Sequence, residues 1–160
     1  MADNIFLGAK VYICATPQAS TLAQVGYEAL TFVEVGDVVT PPSVSEEVSM
    51  PTQQYVNRSR AVFQKGVYTG AASEIVVGYD YADNGQDALF AASRASGKYA
   101  FKMELNDSPN VATTTNTVVY FRALVGPRAA NSGGAEDFVN HTYPIQITDD
   151  EPLWVEPEAI

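Results

Sequence analysis

Histidine and cysteine each occur only once among these 160 residues, and their scarcity excludes most site chemistry. A structural zinc site takes about four nitrogen or sulfur ligands, which His141 and Cys14 cannot supply within one chain. A Ser-His-Asp arrangement would need His141 as its base, and no Gly-x-Ser-x-Gly turn is present to expose a serine. A lone histidine in an alternating segment is typical of a structural role. The sequence therefore predicts no enzyme activity, no metal and no cofactor.

Long apolar runs are also missing. No run approaches the roughly 18 apolar residues that a membrane span needs. The first four residues lack the basic region of a secretory signal. No internal disulfide can form, and Cys14 lies in an apolar segment, as expected of a buried thiol. We expect a protein that acts without crossing a membrane.

Basic residues are scarce, with 9 against 19 acids and a net charge of −10. Residues 61–128 are balanced in charge, whereas no base occurs after residue 128. A surface of this sign repels phosphates, which disfavours a protein that grips DNA or RNA. The acid-rich residues 149–160 are interpreted as a short solvated tail that carries an apolar patch around Trp154. Acids at 46–47 and 149–151 could bind calcium weakly, but neither group has the spacing of a calcium loop.

One helix followed by a strand is the clearest pattern that the sequence contains. Asp83 and Gln86 have the spacing of a capping box at a helix start, and Gly97 is typical of a left-handed helix end. Between them lies the apolar stripe of a helix that packs on a flat surface, formed by Ala88, Leu89, Ala92 and Ala95. Residues 99–105 then alternate between apolar and polar, as in a half-buried strand. The pattern predicts a helix lying on a sheet.

Strand patterns recur along the rest of the chain. They cover residues 9–15, 29–35, 61–68, 74–81, 118–125 and 138–148, with a short helical turn at about 19–25. Apolar residues on both faces of 118–125 are typical of a strand that is covered on each side. Length and pattern together predict a single domain over residues 1–160. The predicted fold is mainly β, a β-sandwich or barrel of about seven or eight strands with one α-helix packed outside.

The least regular segment runs from about residue 38 to residue 66. Two adjacent prolines, Pro41 and Pro42, exclude a helix or a central strand at its start. The segment nevertheless carries more apolar residues than a disordered linker normally has, namely Val48, Met50, Tyr55 and Val56. Two interpretations remain open. The segment is either an extended arm that orders against a neighbouring molecule or a flexible surface loop.

The order of these elements resembles the major tail tube protein of long-tailed bacteriophages and related gene transfer agents. The segments that carry the resemblance are VEVGDV at 33–38 with Pro41 and the long arm, IVVGYD at 75–80, DNGQDAL at 83–89, the strand at 99–105, and VYFRALV at 119–125. Together they span about residues 30–148, most of the chain.

The resemblance implies a structural virion protein without catalysis. Six subunits would join their sheets into a ring-shaped continuous β-barrel, and stacked rings would form the tail tube. Genomic DNA would pass through the lumen during ejection without specific binding. The implied partners are further copies of the chain, the tape measure protein, the tail terminator and the distal tail protein, with no membrane. The protein would be assembled in the host cytoplasm and reside in the tail of the virion.

The arm at 38–66 matches the loop that reaches neighbouring subunits or the adjoining ring in this family. The candidate subunit contacts are Pro41, Pro42, Val48, Met50, Tyr55, Val56 and Trp154. Two other functions stay open at this point. Nine tyrosines and polar loops are compatible with a sandwich lectin or adhesion domain, and the tube protein of a contractile secretion system shares the implied architecture.

Overall fold

The computed structural model describes residues 6–110, 112–148 and 150–160, which form a mainly β chain with one long helix. The strands are β1 (Lys10–Cys14), β2 (Phe32–Val35), β3 (Val38–Thr40), β4 (Glu46–Val48), β5 (Thr52–Gln53), β6 (Val62–Phe63), β7 (Tyr68–Gly70), β8 (Ala72–Gly78), β9 (Tyr99–Glu104), β10 (Val118–Val125), β11 (Ala129–Ala130), β12 (Asn140–Ile147) and β13 (Leu153–Val155). The helices are α1 (Gln24–Glu28) and α2 (Asn84–Arg94). The predicted mainly β fold with one substantial helix is confirmed.

Seven strands form the body in the order β2-β1-β9-β10-β12-β8-β3, and every neighbouring pair is antiparallel. The two end strands of this order, β2 and β3, are consecutive in the chain and are separated only by Gly36 and Asp37. Three residue steps span at most about 11 Å. The sheet must therefore curl until its two ends meet.

The main core lies between the inner face of this curled sheet and α2. Leu89 and Ala92 of the helix are fully buried against residues of β1, β2 and β10. Phe101 of β9 stacks on Phe121 of β10, with ring centroids 5.4 Å apart. Burying one side chain of the size of Leu89 contributes about 1.5–3 kcal/mol, so α2 is held mainly by this apolar face.

A second cluster covers the opposite face of β1, β9 and β10. Tyr120 of β10 stacks on Tyr27 of α1 with ring centroids 5.2 Å apart, and Cys14 is buried beside them. The buried thiol is therefore the small hydrophobic residue that the sequence predicted. The prediction that the strand at 118–125 is covered on both faces is confirmed.

The start of α2 ties the helix to both ends of the sheet. The Asp83 carboxylate accepts hydrogen bonds from the backbone N–H groups of Gln86, at 2.8 Å, and Gly36, at 3.0 Å. The Gln86 amide does not complete a capping box with Asp83. It donates instead to the backbone carbonyls of Gly36, at 3.2 Å, and Gly78, at 2.8 Å. The helix thereby links the turn that follows β2 to the end of β8.

The sequence prediction is wrong at the other end of the helix. Helix α2 ends at Arg94, because Ala95 is already extended, and Gly97 has no left-handed backbone conformation. Ala95 is consequently exposed rather than part of the buried stripe. Similarly, the predicted strand over 74–81 ends at Gly78, so Tyr79 and Tyr81 are exposed beyond it.

The C-terminal residues are not a solvated tail throughout. Strand β13 pairs with the first half of β10, with Val155 opposite Val118 and Leu153 opposite Tyr120. The second half of β10 pairs with β12. The apolar patch expected around Trp154 therefore lies on a paired strand, since the backbone groups of residues 153–155 complete a sheet ladder. The acids at 149–151, considered above for weak calcium binding, include residue 149, which lies outside the described residues.

Candidate assembly surfaces

Within the described residues, 46–70 form a β-hairpin whose strands pair only with each other, and the name arm refers to these residues from here on. Strand β4 pairs with β7 and β5 with β6, both antiparallel. Between these ladders, the backbone of Ser49 donates to Val67, at 3.0 Å, and accepts from Gly66, at 2.7 Å. The pairing therefore continues from Glu46 to Gln53, about 23 Å at roughly 3.3 Å per residue. The segment is thus an extended hairpin paired with itself, and the expected contact with a neighbouring molecule stays a prediction.

The arm contains no buried residue, and most of its large apolar side chains are exposed to solvent. Three of the expected contact residues, Met50, Tyr55 and Val56, lie in its outer part and are exposed, whereas Val48 is half-buried near its base. Three further apolar side chains of the arm are also exposed, namely Phe63, Val67 and Tyr68. Sequence reasoning missed them because residues 61–68 were assigned to a strand of the body.

The remaining expected contacts are not part of the hairpin. Pro41 and Pro42 lie between β3 and the arm, and Pro42 is buried within its own chain. Trp154 lies on β13 and is half exposed. The structure thus brings three of the seven candidates together in the outer arm and places the other four at its base, before it, or on another strand.

The root of the arm is fixed to the end of β12. A Cβ atom added to Gly70 would lie 2.4 Å from the backbone oxygen of Ile147, so the two backbones are in direct contact. The Gln146 side chain donates to the carbonyl of Gly70 at 2.6 Å, and the backbone N–H of Ile147 donates to Ala71 at 3.3 Å. These contacts orient the base of the arm relative to the body.

The outer arm is basic within an acidic protein. Residues 49–66 contain three bases, Arg58, Arg60 and Lys65, and no acid, while the remainder of the chain has six bases against all 19 acids. The guanidinium of Arg58 lies over the ring of Tyr55, 5.3 Å from its centroid. Within the described part of the chain, none of these three bases forms an ion pair.

A groove of about 610 Å³ lies at the other end of β8 and β12, and we call it the Tyr79 groove. Its lining residues are Asp37, Val38, Val39, Gly78, Tyr79, Phe138, Val139 and Asn140. The sequence patterns missed this surface because they placed Tyr79 and Val139 inside regular strands with alternating burial. Gly78 is the signal that could have revealed the groove. Strand β8 ends at this glycine, although the alternation of apolar residues in the sequence continues to Tyr81.

The single histidine, His141, lies beside the groove and packs against one of its lining residues. The ring of His141 packs against that of Tyr79, with centroids 4.5 Å apart. Burial, with a smaller effect of Arg128, lowers the pKa of His141 below its usual value of 6.5. In the described ranges no group of three or more His, Cys, Asp or Glu side chains could hold a metal ion. No helix there is both long enough and apolar enough to cross a membrane.

No known family matches the chain by sequence, and no curated protein does so. Solved structures are similar to it. One is the SPP1 tail tube, with a TM-score of 0.62 and 12% identity over 98% of this chain and 80% of that chain. Another is the six-fold symmetrised anti-feeding prophage baseplate, with a TM-score of 0.58 and 10% identity over 92% and 91%. At these identities the similarity establishes the fold, and the resemblance of this chain to tail tube proteins is confirmed at that level.

Proposed function

We propose that this protein is a structural subunit of a phage-type tail tube. The observation that carries the proposal is the arm, an ordered hairpin that leaves six large apolar side chains exposed to solvent in the described part of the chain. Exposed apolar groups of this extent mark interaction sites, and burying each large side chain contributes about 1.5–3 kcal/mol. Several such side chains per arm supply enough free energy for contact between copies. The fold shared with the SPP1 tail tube chain supports the same conclusion.

In this proposal six copies form a ring, and the rings stack into a tube in the tail of the virion. The net charge of −10 suits a lumen through which DNA slides, because a negative wall repels phosphates. The partners are further copies of the chain and the other tail proteins, namely the tape measure, tail terminator and distal tail proteins. Assembly takes place in the host cytoplasm, and the role is non-enzymatic and independent of a membrane.

A component of a contractile apparatus is the second candidate. The observation that favours it is the similarity to the anti-feeding prophage baseplate chain, which extends over 91% of that chain. Both candidates require self-assembly through surfaces outside the core. They differ in the neighbouring proteins, so co-purification from the native particle with or without a contractile sheath separates them.

Electron microscopy of the concentrated protein tests the proposal. The unchanged protein is expected to form rings or hollow rods. In a shortened variant, the dipeptide Asn-Gly replaces residues 49–67. It connects Val48 to Tyr68, the residue that pairs with Val48 across the hairpin. A two-residue turn of this sequence closes a hairpin with little strain. We expect this variant to keep the circular dichroism spectrum of the folded body and to form no tubes.

A matched control removes exposed apolar groups outside the arm. Changing Leu7, Val25 and Ile160 to Ser alters exposed side chains of similar size. The control is expected to form tubes, whereas changing Met50, Tyr55 and Val56 to Ser prevents them. A strictly monomeric unchanged protein at every concentration, with no tube in any parent particle, would overturn the proposal.

A further inference from the structure

We propose that the outer arm of one copy docks into the Tyr79 groove of a second copy. This inference rests on the proposed function and adds to it the receptor surface for the arm. The sequence resemblance names no such receptor. Three observations carry the inference: the positions of arm and groove on the body, the apolar side chains that each exposes, and the opposite charges of the two surfaces.

The arm and the groove lie at opposite ends of the same strand pair. At one end, Ala72 of β8 pairs with Gln146 of β12, directly beside the arm root. At the other end, Gly78 pairs with Asn140, and both residues line the groove. Six residue steps of β8 separate these ends, about 20 Å at roughly 3.3 Å per residue. No arm residue lines the groove of its own chain.

The groove has an apolar floor that is open to solvent. Val39, Tyr79, Phe138 and Val139 are each more than half exposed, and the exposed fraction of Phe138 reaches 86%. The arm exposes side chains of the same kind, and Val56 at its tip is fully exposed. Contact between two apolar surfaces of this kind is favourable, because it removes both surfaces from water.

The charges of the two surfaces are complementary. The arm carries Arg58, Arg60 and Lys65, and the groove wall contains the exposed carboxylate of Asp37. Asp80 and Asp87 line the pocket that adjoins the groove and shares Tyr79 with it, together with one opposing base, Arg128, and His141. The Arg128 guanidinium is directed onto the ring of Phe90, 4.2 Å from its centroid. Three acids against this one base leave the two linings negative, so they attract the basic arm of an approaching copy.

The geometry makes this contact head to tail. Each copy presents one arm at one end of β8 and one groove at the other, so two copies joined in this way still have a free arm and a free groove. A heterologous contact of this type continues from copy to copy, as a filament when its rotation does not close a ring. The arm–groove contact thus gives a filament its direction.

Disulfide trapping tests the inference. One preparation carries Val56→Cys in the arm, and another carries Phe138→Cys in the groove. Cys14 is 97% buried, since its exposed fraction is 3%, and stays unchanged in every variant. Mild oxidation of the mixture is expected to yield a disulfide-linked dimer. The matched control mixes Val56→Cys with Val25→Cys, because Val25 is exposed on α1, outside both surfaces. It is expected to yield little dimer.

The double variant with Val56→Cys and Phe138→Cys extends the test. It should give a ladder of linked multimers rather than dimers alone, as a continuing contact requires. Adding Arg58→Ser, Arg60→Ser and Lys65→Ser to the arm preparation should lower the dimer yield about tenfold, the combined effect of three exposed charge pairs.

The outcomes separate this inference from the proposed function. Tubes that form while the arm–groove dimer stays at the level of the control would overturn the inference and leave the tube subunit intact. A disulfide that forms only between the Val56→Cys arms of two copies would likewise overturn the inference. A protein that neither assembles nor cross-links at any concentration would overturn both.

Discussion

Asp150 holds the guanidinium of Arg122 in a buried ion pair that connects the C-terminal segment to β10. The exposed fractions of the two side chains are 9% and 1%. Thr21 donates a further hydrogen bond to the Asp150 carboxylate at 2.9 Å, and Arg122 donates to the backbone oxygen of Gln18 at 2.9 Å. The buried charge of Arg122, within the otherwise largely apolar strand β10, is thus satisfied by groups from two distant segments.

Removing the carboxylate should strongly destabilise the protein. Asp150→Asn leaves the Arg122 charge buried without a counter-ion, which costs about 3–5 kcal/mol in the free energy of unfolding. Chemical denaturation measures this change. Glu151→Gln is the matched control, because Glu151 is exposed, and should stay within about 0.5 kcal/mol of the unchanged protein. Equal effects of the two substitutions would contradict the role assigned to the ion pair.

Replacing Gln86 should loosen the link between α2 and the ends of the sheet. Gln86→Leu keeps the side-chain volume but leaves the carbonyls of Gly36 and Gly78 without their donor. The N–H of Asp80, which donates to the Gln86 side chain at 3.2 Å, also loses its partner. We expect a loss of about 2–3 kcal/mol in the free energy of unfolding. Gln64→Leu, at an exposed position of the arm, should be close to neutral.

Gly85 is a position where a better helix former should destabilise the protein. Alanine is favoured over glycine in a helix by about 1 kcal/mol. A Cβ atom at this position would, however, lie 2.0 Å from the backbone oxygen of Glu34 in β2. Because backbone cannot yield as a flexible side chain does, Gly85→Ala should lower the free energy of unfolding by about 1–3 kcal/mol. Gly134→Ala, where the nearest atom is 3.7 Å away, should be tolerated.

The stability of the protein should depend on the protonation of His141. Its pKa is lowered in the folded state by burial and by Arg128, so below pH 6.5 the unfolded chain binds the proton more readily. Stability from this group is therefore complete above pH 6.5 and falls as the pH drops toward the lowered pKa.

Thermal unfolding between about pH 7.5 and 5.5 measures this dependence. The difference between the unchanged protein and His141→Gln isolates the histidine, because other groups titrate in both. An NMR titration gives the pKa of His141 directly. Arg128→Met should raise this pKa, because it removes the positive charge that lowers it. A difference that does not change with pH would contradict the prediction.

The sequence predicts the body of the fold well where burial repeats regularly. Strand β10 matches the predicted residues 118–125, and Asp83 caps the start of α2 as the sequence indicated, although the reciprocal bond of a capping box is not formed. Pro144 has no backbone N–H to donate to a sheet ladder, and it lies where the pairing of β12 changes. In the structure, the other side of β12 pairs with β11 before this residue and with β10 after it. These local signals act through backbone geometry that the sequence encodes directly.

The contacts of Gln86 and the assembly surfaces were less predictable, because tertiary contacts determine both. The partner of Gln86 could not be read from its spacing to Asp83, since the carbonyls that it binds lie 50 and 8 residues away. Residues 61–68 read as a body strand because alternation does not distinguish pairing within a hairpin from pairing within a core. The residues of the Tyr79 groove come from three separate segments, and only the folded sheet brings them together.

The pairing of the hairpin with itself also determines how the length of the arm can change. Val48 and Tyr68 fix the register at its base, so residues added at the tip leave the body undisturbed. Adding two residues to each strand would lengthen the hairpin by about 7 Å and preserve the orientation of its side chains. A single added residue per strand would turn the outer side chains to the opposite face. Spacing between successive copies can therefore evolve in steps of residue pairs.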